Sequence, residues 1–153
     1  MANSNTTLAQ LEQTPDGLVV RAPAKINLCL LIGGKRPDGF HEIKTVMAKV
    51  DWYDELLFEE GGRDSIELVC AGTHWAPQDN SNLVYRAIEL FAKETGIAPK
   101  VKVTLTKNIP AGSGLGSASS DAAAAIIGYN HLTNAALPHP RLAAMAAALG
   151  SDV

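Results

Sequence analysis

Val101-Lys102-Val103-Thr104-Leu105-Thr106-Lys107-Asn108-Ile109-Pro110-Ala111-Gly112-Ser113-Gly114-Leu115-Gly116-Ser117-Ala118-Ser119-Ser120 reads in order as a strand, a glycine loop and a helix start. Val101, Val103 and Leu105 alternate strictly with polar residues, the period of a strand with one buried face. From Ser117 onward the period changes. Ala122, Ile126 and Tyr129 fall on one side of a helix, and small Ala122 to Ala125 would let that helix pack tightly on a sheet. A strand that runs through glycines into a helix is the order needed to hold phosphate. The first turn of the helix has unpaired N–H groups and a partial positive charge. Gly112, Gly114 and Gly116 let the backbone approach an anion, and Ser117, Ser119 and Ser120 add hydroxyls for phosphate oxygens or a magnesium shell. Glycine content alone fits a plain tight turn as well. No lysine follows Gly116 as in a Walker A loop, Ser117 stands where GxGxxG needs its third glycine, and Ser113 is not in GxSxG.

Outward from this stretch, Leu18 to Pro23 is a strand broken by proline, and Ile26 to Ile32 an apolar run stopped by Gly33-Gly34. Lys35 to His41 is turn chemistry, with Pro37 before Asp38-Gly39. Glu42 to Trp52, Asp54 to Glu59 and Ser65 to Cys70 are further strand candidates. Ser81 is the expected N-cap of a helix carrying Leu83, Ala87, Leu90 and Phe91 and closed by Gly96. A last helix has Pro140 near its first turn, Leu142, Met145, Ala146 and Leu149 at helical spacing, and Gly150 as its stop. The expected fold is α+β, a mixed sheet with packed helices over residues 17–153, after a disordered leader at 1–16.

The chain has 153 residues, 46% hydrophobic and 19% charged, which is the composition of one globular domain. A net charge of −3 argues against nucleic-acid binding by whole-surface attraction. Cys29 and Cys70 have no CxxC partner and read as two reduced, buried thiols. His74, His131 and His139 lack metal-ligand spacing. The polar opening is no secretory signal and no apolar run is long enough to span a membrane, so no membrane partner is expected and cytoplasm is the expected address.

The segment Pro110-x-x-x-Gly-Leu-Gly-Ser-x-Ser-Ser resembles the central motif of the GHMP kinases, small-molecule kinases that include galactokinase, homoserine kinase and mevalonate kinase. Ala22-Pro23-Ala24-Lys25-Ile26-Asn27-Leu28, Arg36 to Ile43 around Asp38-Gly39-Phe40-His41, and Leu149-Gly150-Ser151-Asp152-Val153 resemble motifs of one branch of that family. That branch phosphorylates 4-diphosphocytidyl-2-C-methyl-D-erythritol. The four matches come in the right order from Arg21 to Val153.

The resemblance implies a first domain like the second domain of ribosomal protein S5. It also implies a second GHMP domain that this chain lacks, so that the chain alone would turn over poorly. It implies ATP, brought with Mg2+, as phosphoryl donor and a cytidine diphosphate derivative as small-molecule acceptor. Asp152 then corresponds to the catalytic base and Lys25 to the catalytic lysine. Pro110 to Ser120 (Pro110, Ala111, Gly112, Ser113, Gly114, Leu115, Gly116, Ser117, Ala118, Ser119, Ser120) correspond to the phosphate site, Asn82 and Lys107 to positions around the adenine, and Asn27, Phe40 and His41 to substrate contacts. Phe40 replaces the usual tyrosine, which keeps stacking and loses a hydroxyl bond. On residue type alone Asn82 is equally helix N-terminal polarity, Lys107 a strand-end charge and Asp121 a first-turn helix carboxylate. Another GHMP kinase of the mevalonate or homoserine type, or a nucleotide-binding module without catalysis, would share the glycine loop.

Overall fold

The structure is a computed structural model that describes residues 10–37, 39–61, 65–150 and 153. Five strands form one sheet: β1 (Gln10–Thr14), β2 (Gly17–Lys35), β3 (His41–Glu60), β4 (Ile66–Gly72) and β5 (Val101–Lys107), in the spatial order β1-β2-β3-β5-β4. Only β4 and β5 run parallel; every other neighbouring pair is antiparallel. The parallel pair needs a crossover, which α1 (Leu83–Thr95) supplies. Helices α2 (Ser117–Leu132) and α3 (His139–Leu149) follow β5. Helix α2 lies against β2 and β3, α1 against β4 and α2, and α3 against both helices.

The core is where the two periods meet. Leu18, Val20 and Ala22 of β2, Leu56 and Phe58 of β3, and Val101, Val103 and Leu105 of β5 turn one face toward the helices. Val84, Ala87, Ile88 and Phe91 of α1, with Ala122, Ala125, Ile126 and Tyr129 of α2, answer from above. Phe91 and Tyr129 meet edge to face with ring centroids 5.3 Å apart. At Gly128 a Cβ would stand 2.7 Å from the Phe58 ring, so α2 can lie this close to the sheet only without a side chain there.

Several sequence expectations change. Pro23 and Gly33-Gly34 do not end strands: β2 runs unbroken for 19 residues, with register shifts between Pro23 and Lys25, Asn27 and Cys29, and Ile32 and Lys35. A bulge accommodates a residue with no N–H to give, so the ladder continues past the proline. The segments 42–52 and 54–59 are likewise a single strand, β3. Residues 10–16 of the expected disordered leader form β1 and a tight turn into β2, with Gln10 paired to Arg21 and Thr14 to Gly17. The N-cap of α1 is Asn82, whose side chain accepts from the Val84 N–H, while the Ser81 N–H and hydroxyl donate to Asp79. Cys29 is exposed, as are all residues of β2 from Ile26 to Lys35, and Cys70 is half-buried. Gly96 at φ 73° closes α1 as expected, and Gly150 ends α3. Among the described residues no helix is long and apolar enough to cross a membrane.

Candidate functional site

Strand β5 delivers the chain into the glycine segment, and α2 begins at its far end. Gly112, Gly114 and Gly116 all sit at positive φ, 71°, 77° and 71°. That repeated left-handed conformation bends the segment into a cup. A Cβ at Gly112 or Gly114 would meet nothing within 4 Å, so their outer side is open. Ser113 closes the cup from within, its hydroxyl donating to the Pro110 carbonyl at 2.7 Å. Gly116 is the N-cap of α2 and has no side chain to cap the first turn, whose N–H groups are therefore left for an anion.

Lys25 reaches this cup from β2. Its N–H donates to the Leu115 carbonyl at 2.9 Å, and its stem runs along Gly116, where a Cβ would stand 2.9 Å from Lys25 Cγ. Its Nζ lies 3.4 Å from Asn27 Oδ1, which also accepts from the Thr45 hydroxyl at 3.2 Å. Two hollows adjoin here. One of about 250 Å³ is lined by Lys25, Pro110, the three glycines and Ser119. The other, about 550 Å³ and mostly apolar, is lined by Met47, Ser120, Ile127, His139 and Val153 among others. Lys25, Gly116 and Ser119 belong to both.

Beneath the cup lies a buried polar cluster. Asp54 is wholly buried. Its Oδ1 accepts from the Asn108 and Ile109 N–H groups at 2.6 and 2.9 Å, and its Oδ2 from Lys107 Nζ at 2.5 Å and the Ser117 hydroxyl at 2.8 Å. Lys107 Nζ also donates to Asp121 Oδ2 at 2.7 Å and contacts the Ser117 hydroxyl. Burial pushes the Asp54 carboxyl upward, but hydrogen bonds from Lys107, Ile109, Ser117 and Asn108 outweigh it and hold the group below the usual carboxylate range. Asp121 goes the other way. Burial and the neighbouring Asp54 charge raise it to about 7 against the pull of Lys107, and its Oδ1 has no hydrogen-bond partner.

The structure thus brings Lys25, Asn27 and Pro110 to Ser120 together, with Ser119 and Ser120 on the hollows and the Ser117 hydroxyl turned inward to Asp54. It does not offer Lys107 to a nucleotide: the side chain is 2% exposed and its ammonium is taken up by two carboxylates and a hydroxyl. Asn82 is equally committed, accepting from Val84 and donating to the Pro77 carbonyl at 2.7 Å. Phe40 and His41 stand exposed at the far end of the β2–β3 hairpin, where His41 pairs with Lys35. Asp152 lies outside the described residues; Val153, which follows it, lines the larger hollow. The sequence reading passed over Asp54 and took Asp121 only as a first-turn helix carboxylate. Both had a signal: Asp54 shares the alternation of Leu56 and Phe58, and Asp121 stands one turn before the buried Ala125. Among the described residues no group of His, Cys, Asp or Glu could hold a metal ion.

Residues 82–153 match the family model of the GHMP kinases N terminal domain. A 4-diphosphocytidyl-2-C-methyl-D-erythritol kinase of Chloroherpeton thalassium is 44% identical over 134 residues, which are 88% of this chain and 46% of that protein. A crystal structure of 4-(cytidine 5'-diphospho)-2C-methyl-D-erythritol kinase is similar with a TM-score of 0.72 and 37% identity, over 88% of this chain and 47% of that one. The homoserine kinase of Cytophaga hutchinsonii shares the fold, with a TM-score of 0.66 at 24% identity over 90% of this chain and 42% of its own. The chain spans about half the length of the curated relatives it matches. The expected α+β fold with a mixed sheet is the one found.

Proposed function

With residues 82–153 carrying a GHMP kinases N-terminal domain, we propose that this chain is the nucleotide-binding portion of a kinase acting on 4-diphosphocytidyl-2-C-methyl-D-erythritol. The reaction transfers the γ-phosphoryl group of ATP to the 2-hydroxyl, in the non-mevalonate route to isoprenoid precursors. One observation carries the reading: the glycine cup and the apolar hollow adjoin and share Lys25, Gly116 and Ser119. A phosphate chain in the first is then beside an acceptor in the second, the placement that transfer requires.

The glycine segment and the N–H groups of α2 hold the polyphosphate. Asp152 takes the proton of the acceptor hydroxyl, whose oxygen bonds to the γ-phosphorus as the bond to the β-phosphate oxygen breaks and ADP leaves. Lys25, fixed by its own N–H to Leu115, brings a cation to the developing charge. Mg2+ comes with the nucleotide and would find the Ser119 and Ser120 hydroxyls there, neutralising phosphate charge. Asn27 faces the acceptor beside Lys25, and Phe40 and His41 serve the cytidine end.

The higher identity to kinases of this substrate than to the homoserine kinase, 44% and 37% against 24%, favours this acceptor over others in the family. The test is ATP-dependent phosphorylation of the cytidine substrate, mevalonate and homoserine by the chain extended to the length of its relatives. Asp152→Asn should lower kcat about 1,000-fold or more with nucleotide affinity nearly intact, and Lys25→Ala should affect kcat more than KM. Turnover of mevalonate or homoserine in preference to the cytidine substrate would replace the reading with its rival. Persistent turnover in Asp152→Asn would remove Asp152 as base.

A further inference from the structure

We propose that Asp54 is a positioning residue that ties the entry and exit of the glycine segment together and so sets the shape of the cup before any ligand arrives. The proposal rests on the reading of that segment as the nucleotide site and adds a residue to it that touches no ligand.

The geometry is specific. A carboxylate has two oxygens, each able to accept two hydrogen bonds, and Asp54 fills all four places. Two bonds go to main-chain N–H groups of Asn108 and Ile109, which immediately precede Pro110. The other two go to the hydroxyl of Ser117, the first residue of α2, and to Lys107, the last of β5. The seven residues from Pro110 to Gly116 are thus a loop whose ends are fastened to one buried side chain of a third element, β3. Their own glycines could not hold one shape: Gly112 and Gly114 have no side chains and open space around them, and a flexible loop must be ordered at the expense of binding. A clamp beneath the loop moves that entropic cost from ligand binding to folding. The Asn108 side chain adds a second tie, donating to the Tyr53 carbonyl next to Asp54 at 3.0 Å.

Only a carboxylate fits this post. Asn at position 54 would keep the shape, but the Lys107 ammonium draws its one acceptor oxygen, which turns the NH2 group toward the Asn108 and Ile109 N–H groups, donor against donor. Asp121 cannot take over, because it reaches Lys107 alone in the described contacts and makes no bond to the loop.

The experiment compares Asp54→Asn with Val103→Ala, a cavity variant in the same sheet whose side chain is wholly buried and outside the cluster. Two quantities are read in each: amide hydrogen exchange at Asn108 and Ile109 without nucleotide, and the Kd for a non-hydrolysable ATP analogue with Mg2+. In Asp54→Asn both amides should exchange at least about tenfold faster and Kd should rise about tenfold, while Val103→Ala, at equal or greater loss of thermal stability, changes neither. If either quantity in Asp54→Asn matches the control, the clamp is wrong. The exchange arm needs no ligand. Failure of the wild-type chain to bind the analogue would therefore sink the nucleotide reading and leave the clamp to be decided by exchange. Should Asp54→Asn not fold, Ser117→Ala cuts the exit tie alone, and an analogue Kd equal to that of the control would overturn the proposal.

Discussion

The β2–β3 hairpin is one continuous antiparallel ladder with two unlike halves. In the proximal half, every second residue of β2 from Leu18 to Ala24 and of β3 from Asp54 to Phe58 is buried. In the distal half no residue of 26–35 or 41–53 is buried, although the sequence there is as apolar: Leu28 is 64% exposed and Ile32 68%. Both halves are paired antiparallel, the distal one with register shifts, so strand pairing is not what separates buried from exposed. The difference is the second layer: α2 packs its Gly128 against Val20 and Phe58 of the proximal half, whose buried residues join the core with those of α2. A strand pair buries one face only where something packs on it. The candidate site sits at the junction, where Lys25 leaves the covered region and Asp54 enters it.

Removing a large side chain from the covered half is the severest test of this division. Phe58 is wholly buried and touches the position left open by Gly128. Phe58→Ala should cost about 3–5 kcal/mol in unfolding free energy, read from urea denaturation at constant m-value. A loss under about 1 kcal/mol would mean that the proximal half is no better packed than the distal one.

The junction is tested by pH. The folded chain keeps a proton on Asp121 up to about 7, whereas the unfolded chain releases it near the ordinary aspartate value of about 3.9. Between those values the native state binds more protons, so stability from this group falls as pH rises, by about 1 kcal/mol per unit. Asp54 has the opposite sign: its depressed value gives stability above the unfolded pKa that is lost as pH falls below it. Asp121→Asn should therefore flatten the decline between about pH 4 and 7 and leave the acid limb in place. An unchanged slope in urea midpoints across that range would show that Asp121 does not hold the proton.

What the sequence made legible follows the same division between local and non-local causes. The β5–loop–α2 unit could be read because its alternation, its glycines and its helical face lie within one short stretch. The helix end at Gly96 was equally local. The continuity of β2 was not, because Pro23 and Gly33-Gly34 are breakers by local rules and the ladder to β3 that carries the strand past them is formed with residues far along the chain. Gln10 to Thr14 is mostly polar and gave no strand signal; its order comes from pairing with Gly17 to Arg21. In the site, the tie of Lys25 to Leu115 and Gly116 spans most of the chain, and only a family motif pointed to it. Lys107 and Asp54 are 53 residues apart, so a lysine at a strand end looked like surface charge although the alternation of both strands sends the pair inward.

The smallest expected effect concerns the distal half. Ile32→Thr keeps a β-branched residue, so the backbone preference for strand is nearly unchanged, and removes one apolar branch from a side chain already 68% exposed. Little apolar surface leaves water when this residue takes its place, so little stability can be lost when it is replaced. The urea midpoint of this chain should shift by an amount corresponding to less than about 0.5 kcal/mol. Leu18→Ala, near the opposite end of the same strand, should cost about 2–5 kcal/mol, because its side chain is 1% exposed and leaves a cavity. If Ile32→Thr instead cost more than about 1 kcal/mol, the distal ribbon would be covered in solution, and the contrast between the two halves of the hairpin would belong to the monomer alone.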